Sequence, residues 1–163
     1  MQVSAAHETG APVRRRLNND FVWDIPGFGP ETRISTNFGE VPAKLLHERD
    51  RIRTASGAFK QIRWMRRIGL DSDFMSKYPQ AHPIVIQANA FGQGVPEREV
   101  IVSPHQKVQL RGLKPDQSAR LVADLEGRAK IMRKPVSSIS YTLFHLGEPQ
   151  LVRTEGLWAE TSP

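Results

Sequence analysis

From Phe21 onward no apolar run in this chain goes far before a turn residue cuts it, and this punctuation limits the available folds more than any single motif. Pro26-Gly27-Phe28-Gly29-Pro30, Asn37-Phe38-Gly39, Ala55-Ser56-Gly57, Arg111-Gly112 and Glu126-Gly127 leave room for hairpins and little for long helices. Between them Thr32–Thr36, Arg51–Thr54, Phe59–Trp64 and Ser137–Leu146 are rich in β-branched and aromatic residues and partly alternate apolar with polar, the signature of half-buried strands. Pro83-Ile84-Val85-Ile86 and Val100-Ile101-Val102 are continuous apolar runs of strand length, which predicts strands buried on both faces. One segment, Asp71 to Tyr78, reads as a helix: Asp71 can accept free N–H groups and Pro79 forbids continuation. A shorter helical turn is expected around Pro42-Ala43-Lys44-Leu45-Leu46.

With 163 residues, 39% apolar and 25% charged, the chain suits one globular domain with a real core. The first twenty residues are polar and show no period, so they predict a flexible N-terminal arm over 1–20, with the folded domain over 21–163. Positive charges follow the few apolar residues of that arm, the wrong order for a secretory signal, and no apolar stretch is long enough for a membrane helix. The expected setting is the cytoplasm, without a membrane partner. The chain has no cysteine, which removes disulfides, thiolate metal sites and any thiol nucleophile of its own. A net charge of +6 favours anionic partners, but the basic residues are spread along the chain, so nucleic acid is an allowed partner and not the favoured one.

Blocks in a fixed order, four in the opening and two further on, carry a family resemblance. Gly27-Phe28-Gly29-Pro30-Glu31-Thr32-Arg33-Ile34-Ser35-Thr36, then Gly39-Glu40-Val41-Pro42-Ala43-Lys44-Leu45-Leu46, Asp50-Arg51-Ile52-Arg53-Thr54 and Ile62-Arg63-Trp64 form an opening. Ile84 to Pro104 supplies a middle strand pair ending in Val102-Ser103-Pro104, and Val152 to Thr161 a closing strand. This pattern resembles a bacterial Hint (Hedgehog/intein) domain, and the resemblance implies a mainly β fold, a compact twisted all-β horseshoe with one or two short helices.

The resemblance also implies a chemistry that this chain lacks the parts to perform. In a working Hint domain the first residue is a Cys, occasionally a Ser, that attacks the preceding carbonyl. Here the position is Gly27, which has no nucleophile and reads as part of a tight Pro26-Gly27 turn entering a strand. The family's Ser/Thr-Pro-x-His stretch is Ser103-Pro104-His105-Gln106, which puts Gln106 at the histidine position and His105 one residue early, facing the opposite way in an extended segment. A later family histidine falls on Leu143, with His145 two residues further on. The family's Asp-x-His before the closing strand is Gly147-Glu148-Pro149, and the chain ends Thr161-Ser162-Pro163 without the His-Asn of inteins. The catalytic candidates are therefore Ser103, His105 and His145, and the degenerate family positions are Gly27, Gln106 and Leu143.

Other constellations carry less. His47, Glu48 and Asp50 read as a solvated turn, so no metal is expected. Gly92-Gln93-Gly94 lacks the Lys-Ser/Thr and the helix of a phosphate loop and reads as a turn, and no cofactor is expected. Arg63-Trp64-Met65-Arg66-Arg67 interleaves an aromatic with cations as a nucleic-acid contact would, although the preferred reading places Trp64 in the core with arginines flanking the strand end. The expected function is a Hint-type domain inactive in self-processing, not an enzyme, serving as a structural or interaction module for an unknown protein partner. A divergent self-processing or acyl-transfer domain and a basic nucleic-acid-binding protein are the alternatives.

Overall fold

Closely spaced turns between β-branched segments give short antiparallel strands, and the computed structural model, which describes residues 22–110 and 119–161, contains thirteen among those residues. The strands are β1 (Arg33–Thr36), β2 (Gly39–Pro42), β3 (Arg51–Arg53), β4 (Phe59–Gln61), β5 (Trp64–Leu70), β6 (Ile84–Ile86) and β7 (Val100–Val102). After them come β8 (Lys107–Gln109), β9 (Ala119–Leu121), β10 (Ile131–Arg133), β11 (Ile139–His145), β12 (Leu151–Thr154) and β13 (Leu157–Glu160). The arm expected over 1–20 and the Arg111-Gly112 turn lie outside the described residues.

The strands form four small antiparallel sheets, ordered β2-β1-β3-β4, β10-β6-β7, β11-β5 and β12-β13-β8-β9. Single-residue bridges stitch the sheets together. Phe28 pairs with Val102 and with Thr142, joining the sheet of β7 to that of β11, and Thr54 pairs with Val152, joining the first sheet to the last. The main core collects Phe28, Ile34, Ile52, Ile84, Ile86 and Phe144 with their neighbours, so the two continuous apolar runs are buried as expected, apart from a half-buried Ile101. A second, smaller core forms around α1 (Ser72–Lys77), from Trp23, Leu70, Phe74, Met75, Ala81 and Tyr141.

The mainly β expectation holds, and so does the helix. The Asp71 carboxylate accepts the Phe74 N–H at 2.9 Å, and Pro79 opens a separate 3-10 turn, Pro79–Ala81. The turn at Pro42–Leu46 is a 3-10 turn over Ala43–Leu45.

Three local expectations need correction. The strand read from Phe59 to Trp64 is two strands in two sheets: β4 ends at Gln61, and β5 starts at Trp64 and pairs with β11 alone. Trp64 is 40% exposed and not a core residue; it opens β5, whose sheet has two strands among the described residues. The closing strand is a hairpin, β12 and β13, reversed at Glu155-Gly156 with φ of 51° and 86°, the left-handed pair that a two-residue hairpin loop requires.

Candidate functional site

The segment Trp23–Gly29 threads between β7 and β11. Phe28 N–H donates to Thr142 O at 2.8 Å and Phe28 O accepts from Thr142 N at 2.9 Å. On the other side Ser103 N–H donates to Gly27 O at 2.9 Å and Gly29 N–H to Ile101 O at 2.8 Å. The tight Pro26-Gly27 turn expected from the sequence is therefore absent, because long-range bonding on both sides holds the segment extended. Gly27 is buried with φ +152°, and a Cβ there would lie 3.0 Å from Tyr141 Cβ and 3.2 Å from Thr142 O. Both backbone conformation and space select glycine at the position where the resemblance puts a nucleophile.

Upstream of Gly27 the chain is anchored. Trp23 is 8% exposed, its ring edge-on to Phe74 at 6.1 Å and tilted against Tyr141 at 6.0 Å. Its indole N–H donates to Ser103 Oγ at 2.8 Å, which satisfies the polar end of a buried tryptophan. Trp23 escaped the sequence reading, although Phe21-Val22-Trp23 is an apolar triplet at the end of a polar arm and was the available signal.

Of the residues singled out from sequence, Gly27, Ser103 and Gln106 come together. The Gln106 side-chain Oε1 accepts the Gly27 N–H at 3.1 Å, and its Nε2 donates to Glu160 O at 2.7 Å and Lys107 O at 3.0 Å. Every hydrogen on that buried amide is used, so Gln106 ties Gly27 to the closing hairpin. Ser103 is fully buried. Its hydroxyl donates to Ile25 O and accepts from Trp23 Nε1, with the His105 backbone N–H at 3.3 Å. A serine whose proton goes to a peptide carbonyl has no base to activate it.

The extended segment expected at Ser103–Gln106 is a turn, closed by the Gln106 N–H donating to Ser103 O at 3.0 Å; His105 is half-buried within it, and Gln106 is the side chain that reaches Gly27. His145 lies opposite Trp64 on β11, three residues from the Thr142 that bonds Phe28, which is about 10 Å along a strand. Leu143 is buried and opposite Arg66. Of the three candidates Ser103, His105 and His145, Ser103 is bonded to Gly27 through its backbone N–H, and His145 sits three residues along β11 from the contact with Phe28.

Burial raises the Tyr141 phenol far above its ordinary value, against a smaller opposing effect of Arg133, and its O–H donates to Ala81 O at 2.7 Å. Tyr141, packed on Gly27, is therefore a permanent donor and no acid–base group. The Arg33 guanidinium is raised above its ordinary value chiefly by its hydrogen bonds to Glu155, at 2.8 and 2.9 Å. Asp50 closes the loop after Leu46 by accepting the His47 backbone N–H at 2.9 Å, while His47 and Glu48 are exposed. Among the described residues no three His, Asp or Glu side chains gather as metal ligands would, and no helix is long and apolar enough to cross a membrane.

A family model described as Hint domain matches residues 26–162. No curated protein matches the chain. Among solved structures, the MchDnaB-1 intein superposes with a TM-score of 0.55 at 10% identity, covering 83% of this chain and 99% of that one. A variant of the same intein gives 0.54 at 12% identity with the same coverage. At such identity the likeness speaks for the fold alone.

Proposed function

The chain belongs to the Hint domain family, and from that premise we propose that it is a Hint scaffold that does not process itself and acts as a structural or interaction module for a protein partner. One observation carries the reading: Trp23 and Ile25, just before Gly27, are packed in the second core and anchor the chain there. Gly27 adds to this, since a side chain there meets Tyr141, and Gln106 offers a neutral amide where acyl transfer would need an acid or base. The cytoplasmic setting expected from the order of N-terminal charges is part of the same proposal.

Intact-mass measurement of purified protein tests it. Prolonged incubation at neutral pH, with and without a small thiol, is expected to leave one full-length species. A product ending at Ile25 or at Pro26 would overturn the reading. The second reading, a divergent self-processing domain, is favoured by the Ser103 hydroxyl donating to the carbonyl of the Ile25-Pro26 peptide, and it predicts a product ending at Ile25 that is abolished by Ser103→Ala.

A further inference from the structure

Four arginines stand together on one outer face. Along β3, Arg51 and Arg53 are exposed while Ile52 is buried, the period of two that puts both on one side, and Arg49 is exposed in the turn just before the strand. β4 pairs with β3 so that Phe59 sits opposite Arg53 and Gln61 opposite Arg51, and the chain continues outward at Arg63. Arg49 and Arg63 line one open cleft of about 530 Å³ with His47, Glu48 and Gln61.

These four guanidiniums have no hydrogen-bond or ion-pair partner among the described residues. The contrast lies within the same molecule. Arg33 and Arg153 pair with Glu155 and Glu97, Arg133 with Glu126, and Arg67 donates to the carbonyls of Ala43 and Leu46. Arg66, Arg98, Arg120 and Arg128 are also exposed without a side-chain partner among the described residues, so what marks the β3 group is that four such arginines lie on β3, in the turn before it and just beyond the paired β4. The carboxylates of Glu48 and Asp50 offset only part of its charge, two charges against four.

Aromatic surface accompanies the charge. Phe59 is 42% exposed beside Arg53, and Trp64, which follows Arg63, is 40% exposed. Alternate residues of a strand are about 6.7 Å apart, on the scale of successive phosphates along a polynucleotide. Cations at that interval with flat rings between them match a strand whose bases are free to stack, whereas a duplex keeps its bases inside. We infer that the β3–β4 face, with the Arg49–Arg63 cleft, binds single-stranded nucleic acid without sequence preference, Arg51 and Arg53 holding phosphates and Phe59 stacking a base.

The test is fluorescence anisotropy of the full-length protein with a labelled oligodeoxythymidine of about 15 nucleotides, between about 50 and 200 mM salt. Binding should weaken steeply with salt. Arg51→Ala with Arg53→Ala should cost at least about tenfold in affinity and lower the log–log salt slope by about 1.4, at about 0.7 per phosphate contact on a single strand. Phe59→Ala should cost about fivefold or more and leave the slope unchanged, which a purely electrostatic surface would not do. Arg120→Ala with Arg128→Ala removes the same charge from exposed positions on another part of the molecule and should cost less than about threefold. No binding, equal losses in the two double variants, an inert Phe59→Ala, or binding to phosphatidylserine vesicles in preference to the oligonucleotide would each overturn the inference.

Discussion

Gln106 Oε1 lies 3.1 Å from Gly27 N while Gln106 Nε2 lies 2.7 Å from Glu160 O, so one buried side chain joins the segment around Gly27 to the closing hairpin. Replacing it by alanine leaves a backbone donor and a backbone acceptor buried without partners. Gln106→Ala is expected to destabilise the fold by about 2 kcal/mol, read from the midpoint of urea unfolding at unchanged slope. A change below about 0.5 kcal/mol would show that the tether is dispensable.

Trp23 fills the second core against Phe74 and Tyr141, so Trp23→Ala is expected to cost about 3–5 kcal/mol. Trp23→Phe keeps the ring and loses the N–H to Ser103, and should cost about 1 kcal/mol from that bond plus the smaller ring. Equal, small effects from both changes, measured by denaturant unfolding, would show that the segment before Gly27 is not docked.

Two glycines give an internally controlled comparison. Gly27→Ala forces a Cβ to 3.0 Å from Tyr141 Cβ at φ +152°, and about 2 kcal/mol of destabilisation is expected. Gly69 in β5 has nothing within 4 Å of an added Cβ, so Gly69→Ala should be neutral or stabilise slightly. Thermal unfolding of the two variants beside the parent protein checks the difference.

Tyr141 sets an alkaline limit. Its folded phenol titrates far above the unfolded value of about 10, so above that pH the unfolded chain loses a proton that the folded chain keeps. Stability from this group is complete below pH about 10 and falls as pH rises beyond it, by about 1.4 kcal/mol per unit. Tyr141→Phe is expected to flatten the decline between pH 10 and 11 while lowering stability at pH 7 by about 1 kcal/mol through the lost bond to Ala81. Identical alkaline slopes in the two proteins would contradict the assignment.

The parts of this fold that could be read from sequence are those fixed by neighbours in the chain. Asp71 and Pro79 bound α1 by local hydrogen bonding and ring geometry, and the Ile84–Ile86 and Val100–Val102 runs announce buried strands by composition alone. Strand alternation was the wrong rule for His105, because Ser103–Gln106 closes as a turn through the Gln106 N–H and Ser103 O. What escaped depends on distant partners: Phe28 bonds Val102 and Thr142, Trp23 finds Phe74 and Tyr141, and Trp64 opens a strand paired with the distant β11 and not with β3. The Glu155-Gly156 reversal had a local signal in its glycine, but the alternation of Val152 to Thr161 reads equally well as one strand.

The central claim is that the Hint site here is lost as a unit, with the segment before Gly27 kept as part of the fold. The most direct measurement is intact mass of a Gly27→Cys, Gln106→His double variant, confirmed folded by circular dichroism and incubated with a small thiol. Members of a catalytic unit act non-additively, so restoring two of them beside an anchored Trp23 and an unassisting Leu143 should recover nothing. The account predicts a single full-length mass. Release of the residues up to Pro26 would contradict it, by showing that a nucleophile and a histidine are all this scaffold needs in order to cut.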